Sequence, residues 1–215
     1  MYIDIHTHKS LGSTELSIRN LTFAEAEILF SSDACGYFSV GIHPWQAAGF
    51  SLEQMQQLTA WSTDPRFVAL GECGLDKYSE ASFEVQLAAF EPQITLSENS
   101  KKPLIIHCVG CFNELLSLKK KFKPRQLWII HGFRGKPELA DQLLNAGCAL
   151  SFGEHFNPES VRTTPLDRLF LETDESLLSI AEIYHTISGI KKCSMDELNA
   201  GYELIMAKSE LWNQK

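Results

Sequence analysis

The sequence contains no long uninterrupted apolar run. Although 44% of its 215 residues are hydrophobic, no run approaches the ~18 residues that a membrane-spanning helix needs. The first residues also lack a basic segment followed by an apolar stretch, because Asp4, His6 and His8 interrupt any such stretch at once. We therefore expect a soluble, cytoplasmic protein without a secretory leader.

Positive charge is scarce. The chain has 19 lysines and arginines against 27 aspartates and glutamates, which gives a formal net charge of -8. Broad attraction to a nucleic-acid backbone depends on clustered lysine and arginine, so this balance argues against a protein that binds nucleic acid by charge alone. Nuclease activity stays open, because an enzyme that holds a strand end through metal ions needs only local positive charge.

The six cysteines lack the dense spacing of a small secreted disulfide scaffold. Several lie in or beside apolar runs, and we expect buried thiols in a reducing compartment. Cys108-Val-Gly-Cys111 has the spacing of a redox motif, but no thioredoxin-like order of elements surrounds it. Gly71-Glu-Cys-Gly74 lacks the further glycine or lysine of a phosphate-binding loop. Neither motif therefore indicates the function.

The sequence does contain a regular alternation of short β-branched runs and helix-length segments, which is typical of parallel strands joined by helices. Ser51 and Gln54 predict a capping box at one helix start, and Gly147 predicts a helix end. The predicted strands are residues 2–6, 16–21, 37–43, 67–72, 104–107, 127–131, 149–153 and 169–174, and the predicted helices are residues 23–30, 52–61, 82–99, 112–122, 137–146, 180–187 and 195–211.

Eight strands in series favour a closed (β/α)8 TIM-type barrel over an open sheet, because both faces of a parallel sheet must be covered. A chain of 215 residues is near the lower limit for this α/β fold, which typically takes ~250 residues. A shortened second unit explains how the chain fits. We predict a single barrel domain over residues 1–215.

Five of the predicted strands end in a residue type that binds metals. In an α/β barrel, the catalytic residues lie at the C-terminal ends of the strands. Side chains along a strand repeat with period two, so His6 and His8 present both imidazoles on one face. Imidazole and carboxylate without thiolate suit Zn, Mn, Ni or Fe. The sequence therefore predicts a metal-dependent enzyme whose ligands are His6, His8, Glu72, His107, His131 and Asp174.

Three of the polar residues have alternative interpretations. Glu72 could form an ion pair at a strand end, and Asp174, with acidic neighbours, could be a solvated strand end. His43, in the string Gly-Ile-His-Pro-Trp, could be a further ligand, a structural histidine or a substrate-binding imidazole. We favour substrate binding for His43.

These residues lie in strings that resemble the TatD-like metal-dependent hydrolases of the amidohydrolase-type barrels. The resemblance implies a dinuclear centre: His6, His8 and Asp174 would hold one ion. His107 and His131 would hold the other, and Glu72 would bridge the two. The matching strings, in family order, are Ile5-His-Thr-His8, Gly41-Ile-His-Pro44, Gly71-Glu-Cys-Gly-Leu-Asp76, Pro103-Leu-Ile-Ile-His107, Ile130-His-Gly-Phe-Arg-Gly135 and Leu171-Glu-Thr-Asp174.

The chain departs from the family pattern on the expected substrate side. Trp45 stands where family members often carry a second histidine after the His-Pro turn. Cys108 to Cys111 replaces a more polar stretch, and Glu175-Ser176 replaces a Ser-Pro pair. The predicted ligands are unaffected, so these changes bear on the substrate more than on the reaction.

The resemblance implies hydrolysis of a phosphodiester, with a DNA end as the leading substrate and 3'-5' exonuclease action. Asp174 and Glu72 would be catalytic, and Asp174 would accept the proton of the attacking water. His43, Arg134 and Lys77 would contact the substrate, the two basic residues by pairing with a phosphate. The two divalent ions could be Zn, Mn, Ni, Mg or Fe.

Two alternatives remain at this point. The same metal centre could hydrolyse a small amide or ester, and the acidic net charge keeps this possibility open. A non-catalytic metal-binding protein could also keep the fold. We expect neither a membrane partner nor an obligate protein partner.

Overall fold

A computed structural model describes residues 1–9 and 16–202. The strands are β1 (Ile3–Thr7), β2 (Leu16–Leu21), β3 (Tyr37–Val40), β4 (Phe67–Asp76), β5 (Leu104–Val109), β6 (Trp128–Ile130), β7 (Cys148–Phe152) and β8 (Leu169–Leu171). The α-helices are α1 (Phe23–Phe30), α2 (Leu52–Trp61), α3 (Phe83–Ser100), α4 (Phe112–Phe122), α5 (Pro137–Asn145), α6 (Pro158–Thr163) and α7 (Ile180–Lys191). Short 3-10 helices cover Pro44–Gly49, Leu166–Arg168 and Glu197–Asn199.

The eight strands follow one another in chain order, from β1 to β8. Parallel pairing joins β1 to β2, β3 to β4, β4 to β5 and β7 to β8. A parallel bridge between Thr7 and Asp174 also brings the end of β1 to the segment after β8. This strand order is the one that the (β/α)8 prediction requires.

The chain divides into two compact units. Residues 1–19 and 129–215 form one, called here the terminal unit, and residues 20–128 form the other, the central unit. The prediction of a single domain over residues 1–215 stays a prediction. Within the described residues, no helix combines the length and the apolar character that crossing a membrane requires.

In the central unit, two buried glutamines of α3 hold the ends of two strands. Gln93 accepts a hydrogen bond from the backbone N–H of Ile42 at 2.8 Å and donates to its carbonyl at 3.2 Å. Gln86 does the same for Asp76, at 2.8 and 3.0 Å. Buried backbone groups at a strand end need such partners. The helix thereby positions the loops that follow β3 and β4.

In the terminal unit, two buried tyrosine hydroxyls hold the backbone of β1 and β8. The Tyr202 hydroxyl lies 2.9 Å from the Ile3 carbonyl and 3.0 Å from the Leu171 carbonyl. The Tyr184 hydroxyl accepts a hydrogen bond from the Ile3 N–H at 3.2 Å. Burial raises the pKa of both phenols, so both remain protonated and able to donate.

Several predicted elements are confirmed and several predicted ends are wrong. β2, α1 and α4 have the predicted bounds, and the capping box of Ser51 and Gln54 is present. β4 continues past Glu72 to Asp76, and β5 continues past His107 to Val109. β3, β6 and β8 instead stop before the predicted histidine or aspartate. A polar side chain does not end a strand when neighbouring groups can form hydrogen bonds or ion pairs with it.

Two further differences concern helices. The sequence analysis did not predict α6, although Asn157 caps it and Pro158 occupies its first turn, both of which are start signals. Of the helix predicted over residues 195–211, the described part contains the 3-10 helix Glu197–Asn199 and the following residues to 202. The remainder lies outside the described residues.

Arg66, just before β4, holds the end of α1. Its guanidinium is bound to Asp64 at 2.8 Å and so lowers the pKa of that carboxyl. The same guanidinium donates hydrogen bonds of 2.8 to 3.1 Å to the carbonyls of Leu29, Phe30, Ser32 and Ala34. The last carbonyls of a helix have no partner within it, so this side chain completes the helix end.

We expect Arg66→Ala to lower the free energy of unfolding by about 2 to 4 kcal/mol, because it leaves several carbonyls without a charged donor. Urea denaturation followed by circular dichroism measures this change. The matched control is Arg162→Ala, which removes an exposed ion pair with Glu159 and should cost less than about 1 kcal/mol. Equal losses for the two variants would contradict the capping role.

Candidate metal centre

The terminal unit brings His6, His8 and Asp174 together. Asp174 Oδ1 lies 3.7 Å from His6 Nε2 and 3.5 Å from His8 Nε2. These distances are longer than hydrogen bonds. They match the ~3.4 Å that separates two ligand atoms when each is ~2.1 Å from the same tetrahedral ion. These three predicted ligands therefore form a group that could hold a metal ion.

Backbone contacts fix Asp174 against β1. Its N–H donates to the His6 carbonyl at 2.9 Å, and its carbonyl accepts from the His8 N–H at 3.4 Å. Its φ is 51°, in the left-handed region, which few residues other than glycine adopt but aspartate tolerates. Strained conformations of this kind concentrate at functional sites.

Asp4, which the sequence analysis did not assign, ties these strand ends together. Its carboxylate accepts hydrogen bonds from the N–H and hydroxyl of Thr173 at 3.0 and 2.7 Å, and from the His6 N–H at 3.3 Å. Burial raises the pKa of Asp4 to about 7. The sequence signal was an acid in an apolar strand, two positions before a predicted ligand.

His131 lies beside His6 in the same unit, with ring centroids 4.6 Å apart. Its Nδ1 is 3.5 Å from Oε1 of Glu172, which is fully buried and also accepts from the Gly132 N–H. Burial raises the pKa of Glu172, but His131 and His6 lower it more, and the pKa lies below its usual range. An ionised Glu172 can orient His131, a role that sequence reasoning missed.

The central unit brings His43, Glu72 and His107 together. Glu72 Oε1 lies 3.3 Å from His43 Nε2 and 2.9 Å from His107 Nδ1. Gly71 lets the strands approach closely, because a Cβ there would be 2.4 Å from the Ile105 carbonyl oxygen. His43, which we expected to contact substrate, thus stands among predicted ligands. The structure makes it a candidate ligand as well.

Asp76 contacts His107 on the side of the ring opposite Glu72. Its Oδ2 lies 2.9 Å from His107 Nε2, so both ring nitrogens of His107 face carboxylates, which only accept hydrogen bonds. A neutral imidazole carries one N–H. With that proton donated to Asp76, the Nδ1 lone pair points toward Glu72 and can bind a metal, as in the carboxylate–histidine–metal arrangement.

The ionised state of Asp76 follows from its contacts. Burial raises its pKa, but hydrogen bonds from the Tyr78 N–H, His107 and the Trp45 indole lower it more, and the pKa falls below the usual range. Asp76 closes the string Gly71 to Asp76, yet sequence reasoning gave it no role. Its position at the end of an apolar strand was the available signal.

The predicted substrate contacts lie close to these groups. Arg134 lines a cavity of about 220 Å³ in the terminal unit, together with Asp174 and His155. In the central unit, Lys77 directly follows Asp76, and its Nζ lies 4.7 Å from the centre of the Tyr78 ring.

The Cys108–Cys111 segment does not support redox chemistry. Both cysteines are buried, and burial raises the pKa of the Cys111 thiol. A reactive cysteine needs a lowered pKa and an accessible position. This agrees with the sequence analysis, which set the redox motif aside.

Solved structures with similar folds cover nearly the whole chain. The structure of YjjV, a TatD homologue from Escherichia coli K12, matches with a TM-score of 0.78 and 22% identity, over 92% of this chain and 93% of that one. A TatD-family hydrolase from Entamoeba histolytica matches with a TM-score of 0.74 and 18% identity, over 97% and 98%. These matches confirm the predicted fold class, the (β/α)8 type.

Curated relatives share about a third of their aligned residues with this chain. The 3'-5' ssDNA/RNA exonuclease TatD of Erwinia tasmaniensis is 33% identical over 155 residues, 66% of this chain and 58% of the relative. The human 3'-5' RNA nuclease TATDN2 is 33% identical over 168 residues, 73% of this chain and 22% of the relative. An uncharacterised metal-dependent hydrolase of Buchnera aphidicola is 31% identical over 150 residues, 66% of this chain and 56% of the relative. The chain thus spans little more than half the length of most of these relatives.

The family model described as TatD related DNase matches residues 13–198. That range includes His43, Glu72, His107, His131 and Asp174, while His6 and His8 lie just before it. The match extends over most of the sequence and agrees with the fold and with the ligand-type residues at the strand ends. The chain belongs to the TatD-related DNase family.

Proposed function

We propose that this protein is a divalent-metal-dependent nuclease that removes nucleotides from the 3' end of a nucleic-acid strand. The observation that carries the proposal is the pair of three-residue groups described above, each with its ligand atoms within 4.8 Å of one another. Relatives that bear nuclease names support the substrate class.

Each group fits one divalent ion. His6, His8 and Asp174 would hold the first, and His43, Glu72 and His107 the second, all through imidazole and carboxylate ligands that suit Zn, Mn, Ni or Fe. Bound ions would supply Lewis acidity toward a phosphoryl oxygen and a water of lowered pKa. Ligation by His131 and bridging by Glu72, which the family resemblance implies, stay predictions.

Two residues of the terminal unit would act on the substrate directly. The carboxylate of Asp174 lines the cavity and would accept the proton of the attacking water, then return it to the leaving oxygen. The guanidinium of Arg134 lines the same cavity and would hold a phosphate through paired N–H donors. Arg134 would thereby orient the phosphate relative to Asp174.

A small amide or ester is the second candidate substrate. The cavity beside Asp174 is also lined by three acidic residues, Glu154, Glu172 and Glu175, against one lysine or arginine, Arg134. The negative charge of these acidic residues repels a phosphate unless bound metal ions offset it. An uncharged substrate would meet no such barrier.

We expect about two Mn²⁺ or Zn²⁺ ions per chain after reconstitution, measured by equilibrium dialysis with elemental analysis. Asp174→Ala and His43→Ala should each lower the content by about one ion, because each group would lose a ligand. Asp141→Ala, on an exposed position of α5, should keep both ions. Full metal content in His43→Ala would show that His43 is not a ligand.

We expect Asp76→Asn to weaken Co²⁺ binding at the central group about 10- to 100-fold, because the amide no longer fixes the His107 tautomer. The titration is best followed by visible absorbance in an Asp174→Ala background, where the terminal group is disabled. Asp141→Asn in that background is the control. Unchanged Co²⁺ affinity in Asp76→Asn would rule out the orienting role of Asp76.

We expect the Mn²⁺-loaded protein to shorten 5'-labelled single-stranded DNA and RNA stepwise from the 3' end. Asp174→Asn should lower kcat about 100-fold or more, since proton transfer contributes at least that much. A panel of ester and amide substrates is assayed in parallel. Turnover of a panel member without nucleotide release would favour the second candidate, and Asp141→Asn should match the wild type.

A further inference from the structure

We propose that Trp45 and Tyr78 form a platform on which unpaired bases of a nucleic-acid strand stack. This inference rests on the proposed nuclease function and assigns two residues to the binding of its strand. Trp45 follows β3 and Tyr78 follows β4, so both lie at the strand ends that carry the central metal-ligand group. Their side chains are 66% and 73% exposed.

The Trp45 ring is exposed but held in place. Its indole N–H donates to Asp76 Oδ2 at 2.8 Å. Its ring centre lies 5.1 Å from that of His43 in an edge-to-face arrangement, and 6.2 Å from that of His107. A ring that is fixed before binding loses little conformational entropy when a base stacks on it. Trp45 is thus preorganised next to two candidate metal ligands.

Tyr78 is joined to Trp45 through the same carboxylate. The Tyr78 N–H donates to Asp76 Oδ1 at 2.8 Å, opposite the oxygen that holds the indole. The neighbouring Ser79 hydroxyl donates to the Pro44 carbonyl at 3.0 Å, which links the two loops a second time. The two exposed rings therefore belong to one tethered structure.

Lys77 adds a cation to this platform. Its Nζ lies 4.7 Å from the Tyr78 ring centre, and its aliphatic part passes over Gly110, where a Cβ would lie 2.3 Å from Lys77 Cδ. Aromatic rings next to a positive charge are the features by which proteins bind single strands, the rings taking bases and the charge a phosphate. The combination favours nucleic acid over a small acyl substrate.

The charge of the chain also favours stacking. With a net charge of -8, backbone attraction can contribute little to affinity. Stacking on an aromatic ring needs no charge and tolerates any base, since every base has a π-face. Bases inside a duplex already stack on their neighbours, so only an unpaired strand can use the platform.

The test compares two oligonucleotides that differ only in their bases. One is a fluorescein-labelled oligo-deoxythymidine with phosphorothioate linkages that slow cleavage, and the other has abasic residues at its 3' end. Dissociation constants of the Mn²⁺-loaded full chain are measured by fluorescence anisotropy. We expect the wild type to bind the base-bearing strand about 5- to 100-fold more tightly, the range expected for stacking of one base.

The variants separate stacking from other contacts. Tyr78→Ala should lower the preference for bases several-fold, because only the Trp45 ring then remains, while Tyr78→Phe, which keeps the ring, should retain it. Trp45→Phe should also retain most of it, although it loses the hydrogen bond to Asp76. Leu52→Ala removes a side chain that is 79% exposed on α2 and should leave the preference unchanged.

The platform and the nuclease activity can fail separately. Equal binding of the two oligonucleotides by the wild type, or equal effects of Tyr78→Ala and Leu52→Ala, would overturn the platform even if the protein degrades DNA. A preference for bases that Tyr78→Ala lowers and Leu52→Ala does not would support the platform even if no nucleotide is released. Failure to hydrolyse either oligonucleotide or bis-p-nitrophenyl phosphate, which has no base, would count against the nuclease alone.

Discussion

The structure depends on the burial of carboxylates in its strands and directly after them. Asp4, Glu72, Asp76 and Glu172 are each less than a tenth exposed, and an uncompensated buried charge costs several kcal/mol. Each carboxylate therefore has nearby donors, among them backbone N–H groups, a threonine hydroxyl, an indole and imidazoles. Glu72 and Asp76 flank His107, and Glu172 faces His131, so these acids help to position two of the histidines.

This constraint explains how two groups of candidate metal ligands are held in place. His107 is placed by the acids on either side of its ring, Glu72 and Asp76. On the terminal unit, Asp4 fixes the backbone of His6 while β1 fixes that of Asp174. The ligands are attached to strands or to hydrogen-bonded segments next to them, and rigid supports of this kind keep a metal site selective in geometry.

The sequence was sufficient for the class of fold and for the residue types of the site. Apolar periodicity predicted β2, α1 and α4 to the residue. It failed at β4 and β5, because Glu72 and His107 are polar but find partners inside the structure. Family resemblance, rather than periodicity, supplied the grouping of His6, His8 and Asp174, but it did not place His43 with Glu72 and His107.

The supporting residues were harder to predict because their partners are distant in sequence. Thr173 binds Asp4 across 169 positions, and Trp45 reaches Asp76 across 31. No spacing rule connects such pairs, and only the fold brings them together. His43 shows the same difficulty, since the His-Pro turn alone did not reveal that Glu72 would lie 3.3 Å away.

The buried glutamines of α3 have a consequence for how this surface can change. Gln93 and Gln86 bind the main chain of Ile42 and Asp76 and not the side chains that follow. These glutamine contacts therefore do not depend on which side chains stand at the neighbouring positions. A change of the Tyr78 side chain would leave this frame intact, because its hydrogen bond to Asp76 comes from the backbone N–H, whereas a change of Trp45 would also remove an indole donor to Asp76.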